Sequence, residues 1–216
     1  MKSVISTAFS TARLKNRRAE NPRLRHPQKA MMKCRSAMTL SRILTVVILG
    51  GTAFGQGTNG IEKLAPYYPT PEAIVQKMLD LGGLKAGEKM FDLGSGDGRI
   101  VIMAAQKYHA EAVGVEMDKD LYKQSTDKIR RLGLDKTARI INGDLFKQDY
   151  SSADLLTVYL LPASNAKVAP MLEKQLKKGA RVVAHDFQFP WQAEKVETIE
   201  DDGEGRSHTL YLYRIK

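Results

Sequence analysis

Cysteine is nearly missing from this chain: Cys34 is the only one in 216 residues, which excludes a disulfide framework and a cysteine-built metal centre. Histidine is scarce too. His26, His109, His185 and His208 are scattered with no metal-ligand spacing, and no metal is expected. The longest apolar stretch, within residues 43–55, falls short of the ~20 residues that span a bilayer. An excess of one charge is also missing from most of the chain. Residues 1–60 hold eleven Lys and Arg against Glu20, whereas residues 61–216 carry 23 basic and 23 acidic side chains. The formal charge of +10 therefore belongs to the N-terminal segment, and the body gives no electrostatic reason to bind nucleic acid.

That segment has its own pattern. Read from Met31 or Met32, Lys33, Arg35 and Arg42 form a charged region and Ile43–Leu49 a short apolar core. Ala53 and Gly55 then stand three and one residues before a cut ahead of Gln56, as in a secretory signal peptide. Residues 1–60 are read as a leader of this kind, for export or membrane delivery, which would bring the body near a membrane. An Arg-rich, acid-poor mitochondrial presequence and a cytoplasmic tail of no address are the alternatives. Cys34 would leave with a cleaved leader, so it is a poor nucleophile candidate.

From residue 61 the chain reads as one domain in which short apolar runs alternate with helix-period segments. "PEAIVQKMLDL" (71–81) places Ile74, Val75, Met78 and Leu81 on one helical face behind Pro71. Strands are expected at 89–94, 111–118, 138–144, 153–162 and 180–187, with helices over 99–110, after residue 118 and after residue 162. Pro170 is expected to delay or kink the last of these helices. Trp191 follows Pro190, and "KVETIE" and "HTLYLYRI" then form a terminal hairpin. This is an α/β pattern: a mostly parallel sheet covered on both faces, with one antiparallel strand near an edge.

In such a sheet the ligand sits beyond the carboxyl ends of the strands. The first strand ends in "FDLGSGDGR" (91–99), where Gly94, Ser95, Gly96, Asp97 and Gly98 form a turn that opens a helix. Glu116 ends the second strand, near the ~20-residue spacing at which an acid accepts both hydroxyls of a ribose. Asp118 competes for that role, and Asp144 ends the third strand. A nicotinamide dinucleotide would call for G-x-G-x-x-G, whereas this turn is G-x-G-x-G with Asp92 two residues ahead. Asp92 and Asp97 would repel a pyrophosphate and suit a ligand carrying an ammonium and a sulfonium.

"FDLGSGDGR", "GVEMD", "NGDLF" and the hairpin resemble the class I S-adenosylmethionine-dependent methyltransferases. That family has a Rossmann-like seven-stranded sheet of order 3-2-1-4-5-7-6 with strand 7 antiparallel. "YYPTPEAIVQKMLDL", "DLGSGDGRIVI" and "DFQFPW" resemble more narrowly the lysine methyltransferases of mitochondrial ATP synthase c-subunit and adenine nucleotide translocase, and more distantly the Dot1 enzymes. The resemblance implies S-adenosyl-L-methionine as cofactor and a protein with an acceptor lysine as partner. Asp92 with the backbone of Gly94, Ser95, Gly96 and Gly98 would hold the methionine end. Glu116 would take the ribose, Met117 the adenine face, and Asp144 with Leu145 the adenine edge. Tyr68, Pro69 and Thr70 would form a lid.

Family members that methylate amides or adenine carry an Asn/Asp-Pro-Pro-aromatic run after the fourth strand. "VYLLP" stands here instead, leaving Tyr159 as the catalytic candidate that orients an amine. His185 and Asp186 are candidates for the acceptor channel, and Trp191 for its wall; no side chain stands out as a general base. A small-molecule methyltransferase of the same fold and a non-catalytic nucleoside-binding protein stay open as alternatives.

Overall fold

The computed structural model of the protein describes residues 66–216. The leader, its signal-like core and the expected domain start at residue 61 lie outside the described residues.

Seven strands form one sheet of order β3-β2-β1-β4-β5-β7-β6. They are β1 (Lys89–Leu93), β2 (Glu111–Glu116), β3 (Ala138–Asn142), β4 (Leu155–Val158), β5 (Arg181–His185), β6 (Lys195–Ile199) and β7 (His208–Arg214). β7 runs antiparallel to both β5 and β6, so β6 points the same way as the first five strands. The sheet order and the antiparallel seventh strand are those expected from the sequence.

Four helices cover the sheet: α1 (Glu72–Leu81), α2 (Arg99–Tyr108), α3 (Lys119–Arg131) and α4 (Pro162–Gln175). Strand alternation divides the core into two layers. Met90, Ala112, Leu155 and Val183 face the layer formed with α1, α2 and α3. Phe91, Val113, Leu156 and Val182 face the layer formed with α4. Coverage is thus uneven, three helices against one. On the sparser side a 3-10 turn (Leu145–Lys147) and the buried Tyr150 stand between β3 and β4. Tyr150 packs edge-on to Phe91 at 5.3 Å and donates its hydroxyl to the Leu145 carbonyl at 2.8 Å.

Three local expectations change. The apolar run at 153–162 is strand only over Leu155–Val158; Leu160 is loop, and Pro162 begins α4. α4 starts there despite Pro170, which lies inside it. Its buried Asn165 donates to the Phe187 carbonyl at 2.8 Å, tying the helix to the loop after β5. In α1, Leu79 is buried alongside Ile74, Val75 and Met78, while Leu81 is half-buried because the face turns with the helical pitch.

The register places the site. Asp92 of β1 lies between Gly114 of β2 and Thr157 of β4, so one row crosses three strands at their carboxyl ends. Gly114 needs to be glycine: a Cβ there would meet Ser95 Oγ at 2.4 Å and Ile140 Cδ1 at 2.6 Å. Overpacking of this kind costs roughly 1–3 kcal/mol, so Gly114→Val should lower the unfolding free energy of the full chain by that amount, seen as a lower urea midpoint with an unchanged slope of the transition.

Candidate active site

The five residues from Gly94 to Gly98 connect β1 to α2 and fold back onto β2. Gly94 and Ser95 both donate their N–H to the Val115 carbonyl, at 2.9 and 3.0 Å. Gly96 donates to Glu116 Oε2 at 2.8 Å, and Gly98 to the Ser95 carbonyl at 2.9 Å. Four backbone donors that a phosphate cradle would use are therefore engaged within the protein. The sequence reading gave the backbone of this turn a holding role; the structure assigns these four N–H groups to the scaffold, leaving the glycines their close approach. Gly96 and Gly98 have φ of 53° and 77°, left-handed values that favour glycine.

Beside the turn lies a cavity of about 320 Å³ at the carboxyl edge of the sheet. Its lining brings together Asp92, Gly94, Ser95, Gly96, Glu116, Met117, Asp144, Leu145, Tyr68, Pro69, Thr70 and Tyr159 from the sequence reading. Gly98, at the α2 N-terminus, is not part of the lining.

Carboxylates dominate the polar part of the wall. Asp92 is 2 % exposed and accepts the Thr157 hydroxyl at 2.7 Å. Burial raises its pKa to about 7 against the pull of that hydrogen bond, with the Glu116 and Asp97 charges adding to the rise. Asp97 differs. Burial pushes it up, but the hydrogen bonds and charge of Arg99 outweigh this and hold it below the usual carboxylate range. Arg99 clasps it through Nε at 2.9 Å and a second nitrogen at 2.8 Å. Of the two aspartates read as partners for a cation, Asp97 is thus already paired and Asp92 faces the cavity with only a hydroxyl.

Glu116 Oε1 accepts the Asp118 N–H at 2.8 Å while Oε2 takes Gly96, so one carboxylate joins the turns after β1 and β2. Each oxygen keeps a second lone pair for a ligand hydroxyl. Asp118 itself caps α3, accepting from Asp120 and Leu121, and is not part of the cavity lining, whereas Glu116 is. Asp144 also caps, taking the Phe146 N–H at 2.9 Å through Oδ1. Its place in the lining makes it both turn former and wall.

Sequence reasoning missed Tyr67, Arg99 and Thr157. A Cβ on Gly96 would lie 2.7 Å from Tyr67 Cε2, so Tyr67, rather than Tyr68, covers the turn. Burial and the nearby Asp97 raise the Tyr67 pKa. Tyr68 lines the cavity as well, where its hydroxyl meets Arg206 and the guanidinium stands 5.0 Å from its ring. Arg99 also donates to the Thr70 carbonyl at 2.8 Å, pinning this entry segment to α2. The "YYPTP" run signalled the segment; which tyrosine covers Gly96 depends on packing.

Trp191 is not part of the cavity. It stacks on Phe189 at 4.6 Å and meets Tyr213 edge-on at 5.7 Å, within the layer under α4. His185 is fully buried and Asp186 lies beside it; neither is in the lining, although Tyr159, which is, donates to Asp186 Oδ2 at 3.1 Å. Burial and the Asp186 charge raise Tyr159 to about 12.

His185, Asp186 and His208, far apart in sequence, meet here. The two imidazoles contact each other through His185 Nε2 and His208 Nδ1 at 2.8 Å. A tetrahedral ion with nitrogen bonds of about 2.0–2.1 Å would hold them about 3.3 Å apart. The observed spacing is that of a hydrogen bond.

Asp92 gives the cavity a definite pH response. Its folded pKa lies above the ~3.9 of an unfolded chain, so its charge costs stability increasingly as pH rises toward 7. A bound cation needs that same charge. Affinity for S-adenosylhomocysteine, whose amino group is an ammonium, should be flat above pH 7 and fall by up to roughly tenfold per unit below it. Asp92→Asn should bind more weakly with no such slope, yet melt at a higher temperature at pH 8; calorimetry and thermal melts across pH 5.5–8.5 check both.

Comparison with known proteins meets this geometry. Residues 92–195 match the ANTKMT methyltransferase domain. A protein-lysine N-methyltransferase of Saccharolobus islandicus is 40% identical over 152 residues, 69% of this chain and 93% of that protein. The adenine nucleotide translocase lysine N-methyltransferase of Mus musculus is 34% identical over 128 residues; the match spans 59% of this chain and 56% of the mouse protein. Among solved structures, an RNA methyltransferase from Salinibacter ruber in complex with S-adenosyl-L-homocysteine is 40% identical with a TM-score of 0.63. That match covers 68% of this chain and 94% of the other. With such identity over nearly the whole of the Saccharolobus relative, and a carboxylate-lined cavity at the end of a 3-2-1-4-5-7-6 sheet, the chain belongs to the ANTKMT-type family of S-adenosylmethionine-dependent methyltransferases.

Proposed function

We propose that this enzyme methylates the side-chain amine of protein lysine. The observation that carries the reading is the 40% identity to a protein-lysine N-methyltransferase across 93% of that relative. When bound, S-adenosylmethionine supplies an electrophilic methyl group on a sulfonium. Asp92 would face its ammonium, Glu116 its ribose hydroxyls, Met117 and Leu145 its adenine, and Tyr67 would close over the turn. The engaged N–H groups of the turn and its acidic wall fit a cationic ligand and oppose a pyrophosphate.

The protein's part in the reaction is to align an amine, keep water away and favour its neutral form. A lysine ammonium has a pKa near ~10.4, so a proton has to leave before attack. Tyr159, in the cavity wall with Asp186 behind it, is the polar group after β4 that would meet an amine.

A second reading is favoured by the Salinibacter structure, which is that of an RNA methyltransferase. Against it stand the balance of 23 basic and 23 acidic side chains in residues 61–216 and the Tyr-Leu-Leu-Pro run after β4.

Incubation with radiolabelled cofactor and extract from the source organism separates the readings. Label in protein, resistant to nuclease and released as methyl-lysine on hydrolysis, is expected; label in RNA or only in the low-mass fraction overturns the substrate. Glu116→Ala should weaken S-adenosylhomocysteine binding by about tenfold or more, the scale of hydrogen bonds to a charged acceptor, as read by calorimetry.

A further inference from the structure

Behind the cavity, side chains from four parts of the chain form a connected path. Tyr159 Oη donates to Asp186 Oδ2 at 3.1 Å. The same oxygen lies 3.3 Å from His208 Nδ1, and His208 Nε2 lies 3.1 Å from Asp202 Oδ2 in the β6–β7 loop. A branch runs from Thr70 Oγ1 to His185 Nδ1 at 3.3 Å and from His185 Nε2 to His208 Nδ1 at 2.8 Å. Tyr159 and Thr70 both line the cavity, so both branches begin there and converge on His208.

His208 is 3% exposed and has a carboxylate on each ring nitrogen. A neutral imidazole has one N–H to offer these acceptors, whereas an imidazolium has two and serves both. His185 is held neutral: burial lowers its pKa to about 4, the Asp186 charge opposing the fall and the His208 and Arg206 charges adding to it. Asp202 is anchored as an acceptor by N–H groups of Glu204 and Arg206, at 2.8 and 3.2 Å, and by the Arg206 guanidinium beside it at 3.6 Å. Asp186, with φ of 58°, occupies a backbone conformation rare outside glycine, and its other oxygen takes the Thr209 N–H at 3.0 Å.

We propose that Tyr159, Asp186 and His208 form a proton relay that deprotonates the acceptor ammonium, His208 holding the proton between Asp186 and Asp202. The inference rests on the lysine reading above. The ammonium gives one proton to Tyr159 Oη as Tyr159 passes its own to Asp186 Oδ2 and on to His208 Nδ1. The freed nitrogen lone pair forms the new bond to the methyl carbon, the carbon–sulfur bond breaks, and its electron pair stays on sulfur. The product leaves as a methylammonium, and His208 releases its proton to solvent through the β6–β7 loop. Tyr159 touches the acceptor; Asp186 and His208 act through it.

The test is the pH profile of methyl-lysine formation in source-organism extract by wild type, His208→Gln and Tyr159→Phe. His208→Gln should lose about 30-fold or more near pH 7 and recover to within about threefold of wild type at pH 10, where roughly a quarter of the amine is already neutral without help. S-Adenosylhomocysteine affinity should stay within about twofold, showing an intact cofactor site. Asp202→Asn, a milder change in the β6–β7 loop, should show the same pH-dependent defect if His208→Gln does not fold. A loss equal at both pH values, or no loss, overturns the relay and leaves the lysine reading standing. Loss of wild-type activity to a chelator, restored by zinc, overturns it in favour of a metal at the same cluster. Absence of methyl-lysine from wild type at every pH removes the lysine reading itself, and the relay with it.

Discussion

Two N–H groups converge on one oxygen, the Val115 carbonyl, and a third from the same turn meets Glu116. This folding of the first βα turn onto the second strand decides what the cavity can bind. Once its donors are committed, the wall facing the ligand is set by the side chains at strand ends, and these are acidic. Glu116 then serves two purposes with one group: it fixes the turns after β1 and β2 and presents its remaining lone pairs to the cavity. A glycine-rich turn, ordinarily associated with anions, becomes part of a site for a cation.

The same design carries a cost at Asp92. Burying a carboxylate beside two other acids disfavours its charge, and one threonine hydroxyl offsets only part of this. Such tension is common where a protein holds a charge ready for a partner of the opposite sign, because the ligand then recovers what folding gave up. Asp97, a few residues on, is relieved by Arg99, which also anchors the entry segment through the Thr70 carbonyl. The neighbouring acids thus divide their duties: one is left for the ligand, the other builds the wall.

Much of this was legible in the sequence. The alternation of strands and helices, the sheet order and the cluster of glycine and acid at three strand ends followed from periodicity, spacing and family resemblance, since parallel strands buried on both faces leave little freedom in register. What was hidden depended on packing. Asp118 competed with Glu116 in the sequence, and its place as the cap of α3 emerges only in the structure. Both adjacent tyrosines line the cavity, and Tyr67 is the one that covers the turn because Gly96 leaves room for its ring. Trp191 was a candidate for the channel wall, yet the aromatic cluster with Phe189 and Tyr213 draws it beneath α4. His185 and His208 are 23 residues apart, and only antiparallel pairing of β5 with β7 brings their rings together. No local pattern announces a contact of that kind.

Gly114 lies outside the glycine turn and outside the cavity lining, yet its missing side chain is the space into which Ser95 and Ile140 pack. Strands β2 and β3 and the turn after β1 are thereby locked as three parts of one steric fit. Divergence within such a lineage would proceed in concert: a larger residue at position 114 becomes tolerable only alongside smaller ones at 95 and 140. Segments outside this lock, such as the β6–β7 loop, are under no such joint constraint.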